Sequence, residues 1–238
     1  MSTKILFLRL EGPLQSWGDH SRFLTRETGR FPTKSGITGL IFCALGWSGS
    51  QEDRLEELAK LRMSVISFAP KNIKPTVLED FHMVGNGYDD SDPWETLLIP
   101  KTSEGKKAVN GGAKLTYRSY LQDAHFAVFF EIPETWRLLV EQALQFPKWD
   151  LYLGRKSCAP SSQIFQGTFD SFEQAEAAFC SQLTEKETEP WVLLEKVTDA
   201  DHLGLDVEVV TDVPVRFGRE KLYRERFIRR QSLSDVTL

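Results

Sequence analysis

The sequence predicts an α+β fold in which a split βαβ core with an antiparallel sheet is followed by a β-rich C-terminal part. Strand-like and helix-like segments follow one another as strand, helix and strand, then a long polar excursion, then strand and helix, an order typical of that core. The 238 residues are 41% hydrophobic and 26% charged, which excludes a disordered chain, a collagen-like fibre and a coiled coil. No internal repeat or low-complexity segment occurs, so we expect one domain, or one domain with a small appendage.

The first half of the chain supplies the first core elements. Residues 4–10 form a mostly apolar run that predicts a buried strand. Ser35 is predicted to cap a short apolar helix that ends at Gly46, and Ser50 to cap a second helix. Residues 64–68 predict a short strand. Residues 71–114 are rich in Gly, Asp and Lys and predict a long loop or a protruding hairpin.

The second half begins with a predicted strand at residues 124–130. An amphipathic helix is predicted next from apolar residues at helical spacing, namely Trp136, Leu139, Val140, Ala143 and Leu144. Residues 148–162 predict a loop, and a capping box at residues 171–174 opens a further helix. Residues 191–196, 205–210 and 223–228 are predicted to form strands of a second sheet.

The net charge of −5 conceals a segregated distribution. Residues 4–34 contain six Lys or Arg and three acids, residues 101–118 contain five and one, and residues 216–230 contain seven and two. Residues 170–212 hold twelve acids and two lysines. A chain with this pattern can present a basic face to nucleic acid despite its negative total. The alternative is that the basic stretches are ordinary solvated surfaces.

The sequence gives no indication of a membrane, metal or cofactor site. The longest apolar run, residues 36–47, is far short of the roughly 20 residues that a membrane helix needs. The first residues do not resemble a signal peptide. Three widely spaced cysteines and the lack of C-x-x-C suggest neither a zinc site nor a disulfide framework. We therefore expect a cytoplasmic protein without a metal or cofactor.

Three short segments are candidates for contacts with phosphate or bases. Residues 28–36, TGRFPTKSG, partly match a phosphate loop but lack its glycines, so we expect a phosphate at a helix N-terminus rather than a bound nucleoside triphosphate. An ordinary capped helix is the alternative. Trp17 follows a glycine-containing turn and either stacks on a base or packs beneath its own loop. Arg155 and Lys156 lie in the glycine-led loop LGRKSC, which suits sugar–phosphate contacts or a solvated turn.

Catalytic motifs are scarce. The four histidines fit no metallohydrolase spacing, and no G-x-S-x-G occurs. Only His20 lies in a basic loop. A metal-free nuclease would have to combine it with Tyr117 or Tyr120 and with Lys34 around one phosphate.

Taken together, the segments LRLEGPLQSWG (8–18), TGRFPTKSG (28–36), YRSYLQDAHF (117–126) and YLGRKSC (152–158) resemble the CasD subunit family. Members of this RAMP-type family cap the 5′ end of the guide RNA in the type I-E CRISPR Cascade complex. The resemblance implies a ferredoxin-like (RRM-like) domain over residues 1–150, with residues 71–116 as a protruding β-hairpin thumb. A smaller β-rich part with one helix would cover residues 151–238.

The resemblance also implies partners and site residues. The partners would be the crRNA 5′ handle, the Cascade backbone subunit and the Cascade large subunit, in antiviral defence. Residues in matching motif segments would line the handle: Gln15, Trp17, Arg26, Arg30, Lys34, Ser35, Arg118, Arg155 and Lys156. Residues 216–230 would either replace phosphate contacts of related RAMP proteins or face a protein partner. Some type I-C relatives cut precursor RNA with a tyrosine and a Lys-His pair. No Lys-His dipeptide occurs here, which favours RNA binding over the alternative, a metal-free endoribonuclease.

Overall fold

The computed structural model describes residues 2–18, 24–84, 91–98, 101–106, 114–186 and 190–233. Their strands are β1 (Thr3–Glu11), β2 (Leu14–Gln15), β3 (Trp17–Gly18), β4 (Thr25–Arg26), β5 (Thr28–Gly29), β6 (Met63–Pro70), β7 (Thr76–Val84), β8 (Lys114–Gln122), β9 (His125–Pro133), β10 (Phe165–Phe169), β11 (Trp191–Ala200), β12 (Val207–Arg216) and β13 (Leu222–Ser232). Their helices are α1 (Lys34–Leu45), α2 (Glu52–Ala59), α3 (Pro93–Leu98), α4 (Arg137–Gln145) and α5 (Phe172–Lys186). A 3₁₀ turn, Glu134–Trp136, precedes α4. The mixed α and β content agrees with the predicted class. The candidate residue His20 lies outside the described residues.

Most long strands form one seven-stranded antiparallel sheet in the order β10-β1-β9-β6-β11-β13-β12. The C-terminal strands continue this sheet, because β11 pairs with the edge of β6, with Val197 opposite Val65. The predicted second sheet is therefore wrong. The edge of β6 carries backbone groups that need partners, and β11 supplies them. The sheet runs across the predicted division at residue 150.

The sheet is covered on both faces, which explains why β1 is apolar almost throughout. Leu6, Leu8 and Leu10 face α1, α2 and α4 in the larger core. Ile5 and Phe7 face the other way, toward α5. Successive side chains of a strand point to opposite faces, so a strand between two helical layers has no polar side.

The ends of the helices follow local capping rules. The N-cap of α1 is Thr33, whose Oγ1 accepts a hydrogen bond from the Gly36 amide at 3.2 Å, so the predicted cap at Ser35 is two residues too late. The helix ends as predicted at Gly46, which has φ of 69°. Half of the predicted capping box of α5 is present: Ser171 Oγ accepts from the amide of Gln174 at 3.3 Å, while the Gln174 side chain accepts from the amide of Asp170 at 3.3 Å.

Residues 71–116 include strand β7 and the first residues of β8, which pair as an antiparallel hairpin. A protruding hairpin is one of the two structures predicted for this polar segment. Strands β7 and β8 pair from Thr76 opposite Gln122 to Val84 opposite Lys114. Strands β2 and β4 pair with β8 near its base, which joins the hairpin to the loops described below. One face of the hairpin exposes large apolar side chains: Val77, Phe81, Met83, Leu115 and Tyr117. No helix in the described part of the chain is long and apolar enough to cross a membrane.

Candidate nucleic-acid interface

A cleft of about 650 Å³ lies where three loops meet the end of the main sheet. The loops are residues 12–18, residues 26–36 and residues 153–158, three of the four segments that the sequence singles out. Strands β12 and β13 form the opposite wall. The cleft is lined by Ser16, Gly18, Arg26, Glu27, Gly29, Arg30, Phe31, Thr33, Ser35, Gly154, Arg155, Glu208, Val210, Thr211, Asp212, Lys221, Tyr223 and Arg230.

Close backbone packing holds two of these loops together. The amide of Ser16 donates to the carbonyl of Leu153 at 3.0 Å. Gly154 has φ of 89°, and a Cβ at that position would lie 1.7 Å from the carbonyl oxygen of Ser16. Gly12 is also confined, though less tightly, since its Cβ would lie 2.7 Å from the carbonyl oxygen of Ala159. Glycine is therefore required at residues 12 and 154 by close approach of the backbone.

Gln15 and Trp17 form a buried support beneath the cleft. The Gln15 amide donates to the carbonyls of Leu10 at 3.0 Å and Ala124 at 2.6 Å, and its oxygen accepts from Trp17 Nε1 at 3.1 Å. Gly36 packs on the indole, where a Cβ would lie 2.9 Å from a ring carbon. Neither side chain is more than 1% exposed. The assignment of Gln15 and Trp17 to the RNA-lining surface is thereby corrected: they shape the cleft from below.

Lys34 points away from the cleft, into the protein. Its Nζ donates to the carbonyls of Ala59 and Leu61 just past the end of α2, and it lies 3.4 Å from Asp199 Oδ2. Burial lowers the pKa of Lys34, although Asp199 opposes the shift. Lysine at a helix C-terminus satisfies carbonyls that have no partner within the helix. The predicted phosphate contact of the Lys34 side chain is therefore wrong.

The N-terminus of α1 is occupied by the protein's own groups. Asp212 Oδ2 accepts a hydrogen bond from the amide of Lys34 at 2.9 Å, and Thr33 Oγ1 accepts one from the amide of Gly36 at 3.2 Å. Asp212 also accepts two hydrogen bonds from the Arg226 guanidinium, from Nε at 2.6 Å and from Nη2 at 2.8 Å. A carboxylate already satisfies the partial positive charge that we expected to bind phosphate. Ser35 lines the cleft, and its hydroxyl lies 3.3 Å from that of Thr33.

Arg226 completes a buried cluster of two cations and two carboxylates. Besides Asp212 it donates to Asp199, which also accepts from the amide of Met63 at 3.0 Å. Burial alone would lower the pKa of Arg226, but its bonds to Asp212 and Asp199 raise it. The cluster, Lys34, Asp199, Asp212 and Arg226, joins the start of α1 to strands β11, β12 and β13.

Three exposed cations line the cleft without an acidic partner among the described residues: Arg26, Arg30 and Lys221. Arg155 also lacks an acidic partner there, but it is half-buried and donates to backbone carbonyls. Arg230 also lines the cleft, but it is paired with Glu195 at 2.9 Å and Glu208 at 3.6 Å. The surface available to a phosphate is therefore supplied by Arg26, Arg30 and Lys221.

Arg155 positions the loop that carries Arg26. Its guanidinium donates to the carbonyl of Ser119 at 3.1 Å and to the carbonyl of Arg26 at 2.6 Å. It also lies over the ring of Tyr120, 4.7 Å from the centroid. Two of the predicted site residues thus come together, with one holding the backbone of the other.

Besides Gln15, Trp17 and Lys34, two further predicted residues lie outside the lining of this cleft. Arg118 sits on β8, where it is paired in register with Arg26 on one side and Asp80 on the other. Lys156 is exposed on the far side of its loop, where it lines a neighbouring groove with Trp149.

Comparison with known proteins identifies the family of this chain. A family model described as the CRISPR-associated protein Cas5 matches residues 5–230. The chain belongs to the Cas5 family. It is 31% identical over 180 residues to the CRISPR system Cascade subunit CasD of Escherichia coli K12, covering 72% of this chain and 74% of that one. The resemblance found in the sequence is confirmed.

The fold is similar to those of two solved structures of CRISPR-associated proteins. One, titled as a CRISPR RNA-guided surveillance complex, has a TM-score of 0.68 at 27% identity and covers 96% of this Cas5-family chain and 90% of the other. A second, titled as a Cas protein, has a TM-score of 0.61 at 28% identity and covers 97% and 95%.

The basic C-terminal stretch of this Cas5-family chain is largely neutralised. Arg216 pairs with Glu52 at 2.8 Å, Arg224 with Glu56 at 2.9 Å, and Arg229 with Asp206 at 2.5 Å. With Arg226 and Arg230 also paired, these arginines join β12 and β13 to α2 and to each other. Of the two alternatives for residues 216–230, this pairing argues against phosphate contacts along the whole stretch.

Sequence reasoning missed Lys221 and Tyr223, which line the cleft from β13 and the turn before it. Lys221 was counted within a basic stretch, but only its place in the lining of the cleft distinguishes it from its paired neighbours.

The groups weighed for a metal-free nuclease do not converge among the described residues. Tyr120 and Lys34 are both buried. Tyr117 is exposed on the hairpin, where its ring lies 5.4 Å from that of Phe81. His125 lies 3.5 Å from Glu11 and packs between the rings of Phe68 and Trp191, away from the cleft. No group of three potential metal ligands occurs within the described ranges.

Proposed function

We propose that this Cas5-family chain is a subunit of a type I-E Cascade complex that binds and caps the crRNA 5′ handle in the cleft. The observation that carries the proposal is the set of exposed, unpaired cations, Arg26, Arg30 and Lys221, on a cleft built by the family's own sequence segments. The name of the E. coli relative, a Cascade subunit, supports the same assignment.

The chemistry of the cleft suits a single strand of RNA. Arg26 and Arg30 can donate two parallel hydrogen bonds to one phosphate, which a lysine cannot. Their loop is fixed by Arg155 from behind, so little conformational freedom is lost on binding. Phe31 and Tyr223 line the same cleft and can stack on bases. Single-stranded RNA is recognised in this way, by phosphate contacts and stacking.

We also propose a ferredoxin-like core with the β7–β8 hairpin as its thumb. The order β10-β1-β9-β6 with α1 and α4 packed on one face supports this. The exposed apolar face of the hairpin, including Phe81 and Met83, supports contacts with the Cascade backbone and large subunits, because monomeric proteins rarely leave such a patch in water.

Small-RNA sequencing of material that co-purifies with the tagged chain tests the proposal directly. We expect repeat-derived RNAs with a common 5′ sequence. Binding of that RNA should weaken with salt, with a log–log slope of about −2 to −3.5 for three to five neutralised phosphates. Arg30→Ala should weaken binding, whereas Arg216→Ala, which removes a paired arginine outside the cleft, should not. Unrelated RNA fragments or a flat salt response would contradict the proposal.

We propose that the chain holds this RNA without cutting it. A metal-free nuclease needs a general base and a general acid at one phosphate, and none of the described residues that line the cleft is a histidine. Purified protein incubated with labelled repeat RNA and EDTA should leave the RNA intact. A discrete product with a 2′,3′-cyclic phosphate that disappears in His20→Ala would establish the endoribonuclease alternative.

A further inference from the structure

We infer that Lys148, Trp149 and Lys156 form a second nucleotide subsite, reached from the cleft along α1, where a base stacks on Trp149 and the lysines neutralise its phosphates. The inference rests on the proposed function, because it assigns a further part of the same RNA strand to this surface.

The subsite is a groove of about 610 Å³ beside the cleft. The two lysines are exposed, and the Trp149 side chain is 45% exposed in the groove. Neither lysine has an ion-pair partner among the described residues. Asp150 is the acid among the described residues of the lining, which together carry an excess of one positive charge. An exposed indole between two lysines combines the two elements that single-stranded nucleic acids require, a stacking surface and phosphate neutralisation.

The backbone on both sides of Trp149 is held against α1. The amide of Lys148 donates to the carbonyl of Ala44 at 2.8 Å, and the thiol of Cys43 donates to the carbonyl of Asp150 at 3.4 Å. The residues on both sides of Trp149 are therefore attached to the last turns of α1. The side chain of Lys148 also packs over Gly46, where a Cβ would lie 2.6 Å from its Cγ. A fixed platform of this kind loses little freedom when a base stacks on it.

A groove of about 270 Å³ connects this subsite to the cleft. It shares Ser35 and Gly154 with the cleft, and Cys43 and Tyr152 with the subsite. One face of α1 forms its floor, from Ser35 to Cys43, a length of about 12 Å at 1.5 Å per residue. That length accommodates additional nucleotides beyond those at Arg30. The strand can thus run from the cleft to Trp149 without leaving the protein surface.

The experiment compares the lengths of single-stranded RNA that each variant can bind. The probes are fragments of the co-purifying RNA, about 4 to 12 nucleotides long, with the full chain in fluorescence anisotropy. Trp149→Ala should weaken binding of the longer fragments about 5- to 150-fold, the effect expected of one stacked base. It should leave unchanged the shortest fragments that still depend on Arg30. Trp149→Phe should restore most of the loss, and Asp150→Asn should strengthen binding of the longer fragments.

Phe146→Ala is the matched control, because Phe146 is 83% exposed three residues away and lines neither groove nor cleft. If Trp149→Ala and the double variant Lys148→Ala/Lys156→Ala bind every fragment as the wild type does, while Arg30→Ala does not, the subsite is refuted and the proposed function stands. A defect of Trp149→Ala in complex assembly alone would assign the surface to a protein partner and overturn the inference. If every variant, Arg30→Ala included, binds RNA as the wild type does, the proposed function itself is refuted.

Discussion

Replacing Lys34 and Arg30 separately distinguishes a residue that supports the fold from one that binds RNA, although both lie in the same segment, TGRFPTKSG. We expect Lys34→Met to destabilise the protein. Its ammonium bridges two carbonyls at the end of α2 and stands beside Asp199. Charged hydrogen bonds of this kind contribute about 1.5–3 kcal/mol each, and relief of ammonium burial offsets part of the loss, which leaves about 2–3 kcal/mol. In a chain of this size each kcal/mol lowers the melting temperature by about 2–4 °C, so we expect a fall of about 5–10 °C.

The same pair of variants should give the opposite pattern in RNA binding. Arg30 is exposed and has no ion-pair partner among the described residues, so Arg30→Ala should leave the melting temperature unchanged. Loss of its phosphate contact should weaken binding about 10- to 100-fold. Thermal unfolding by circular dichroism and anisotropy with labelled RNA, both near neutral pH, measure the two effects. If Lys34→Met keeps the wild-type melting temperature and loses RNA affinity, the structural role argued from its burial is refuted.

Two further predictions concern the loops and the sheet edge. Gly154→Ala should lower both the melting temperature and RNA affinity, because the new Cβ would collide with a backbone carbonyl. Gly218→Ala, at φ of 97° in open space, should show only the smaller cost of about 1–2 kcal/mol for left-handed backbone, and equal effects would refute the collision. Burial raises the pKa of Glu11, but the adjacent His125, 3.5 Å away, and Arg9, which donates to the carboxylate, outweigh it and hold the pKa below its ordinary value of 4.5. This contribution to stability is present above pH 4.5 and is lost as the pH falls through the pKa of Glu11 in the folded protein. The melting temperature of Glu11→Gln should therefore decrease less on acidification than that of the wild type.

The elements that could be predicted from sequence are those fixed by short-range patterns. The capping box at Ser171 and the apolar spacing after it locate α5, and Gly46 locates the end of α1. The position of β11 could not be predicted in this way. Its pairing with β6 joins residues more than a hundred positions apart, and the local sequence of an antiparallel strand does not specify its neighbour.

The candidate site shows the same division between local and long-range information. The segments that build the cleft could be located because their glycines and basic residues are adjacent in sequence. The side chains that face the cleft could not be distinguished from those that face the core. Lys34 is directed inward by carbonyls of a different helix, and the N-terminus of α1 is occupied by Asp212, 178 residues later. No pattern within the segment carries that information.

The distribution of arginine pairs explains how a chain of net charge −5 can bind RNA. In the basic stretch near the C-terminus, the arginines with acidic partners hold β12 and β13 against α2 and β11. Their charge is largely neutralised and contributes little field at the cleft. The described lining of the cleft carries five cations and three acids, and Arg26, Arg30 and Lys221 are its exposed cations without an acidic partner among the described residues. A small number of unpaired charges predicts a modest salt dependence, and it makes each of these residues more important to affinity than a count of basic residues suggests.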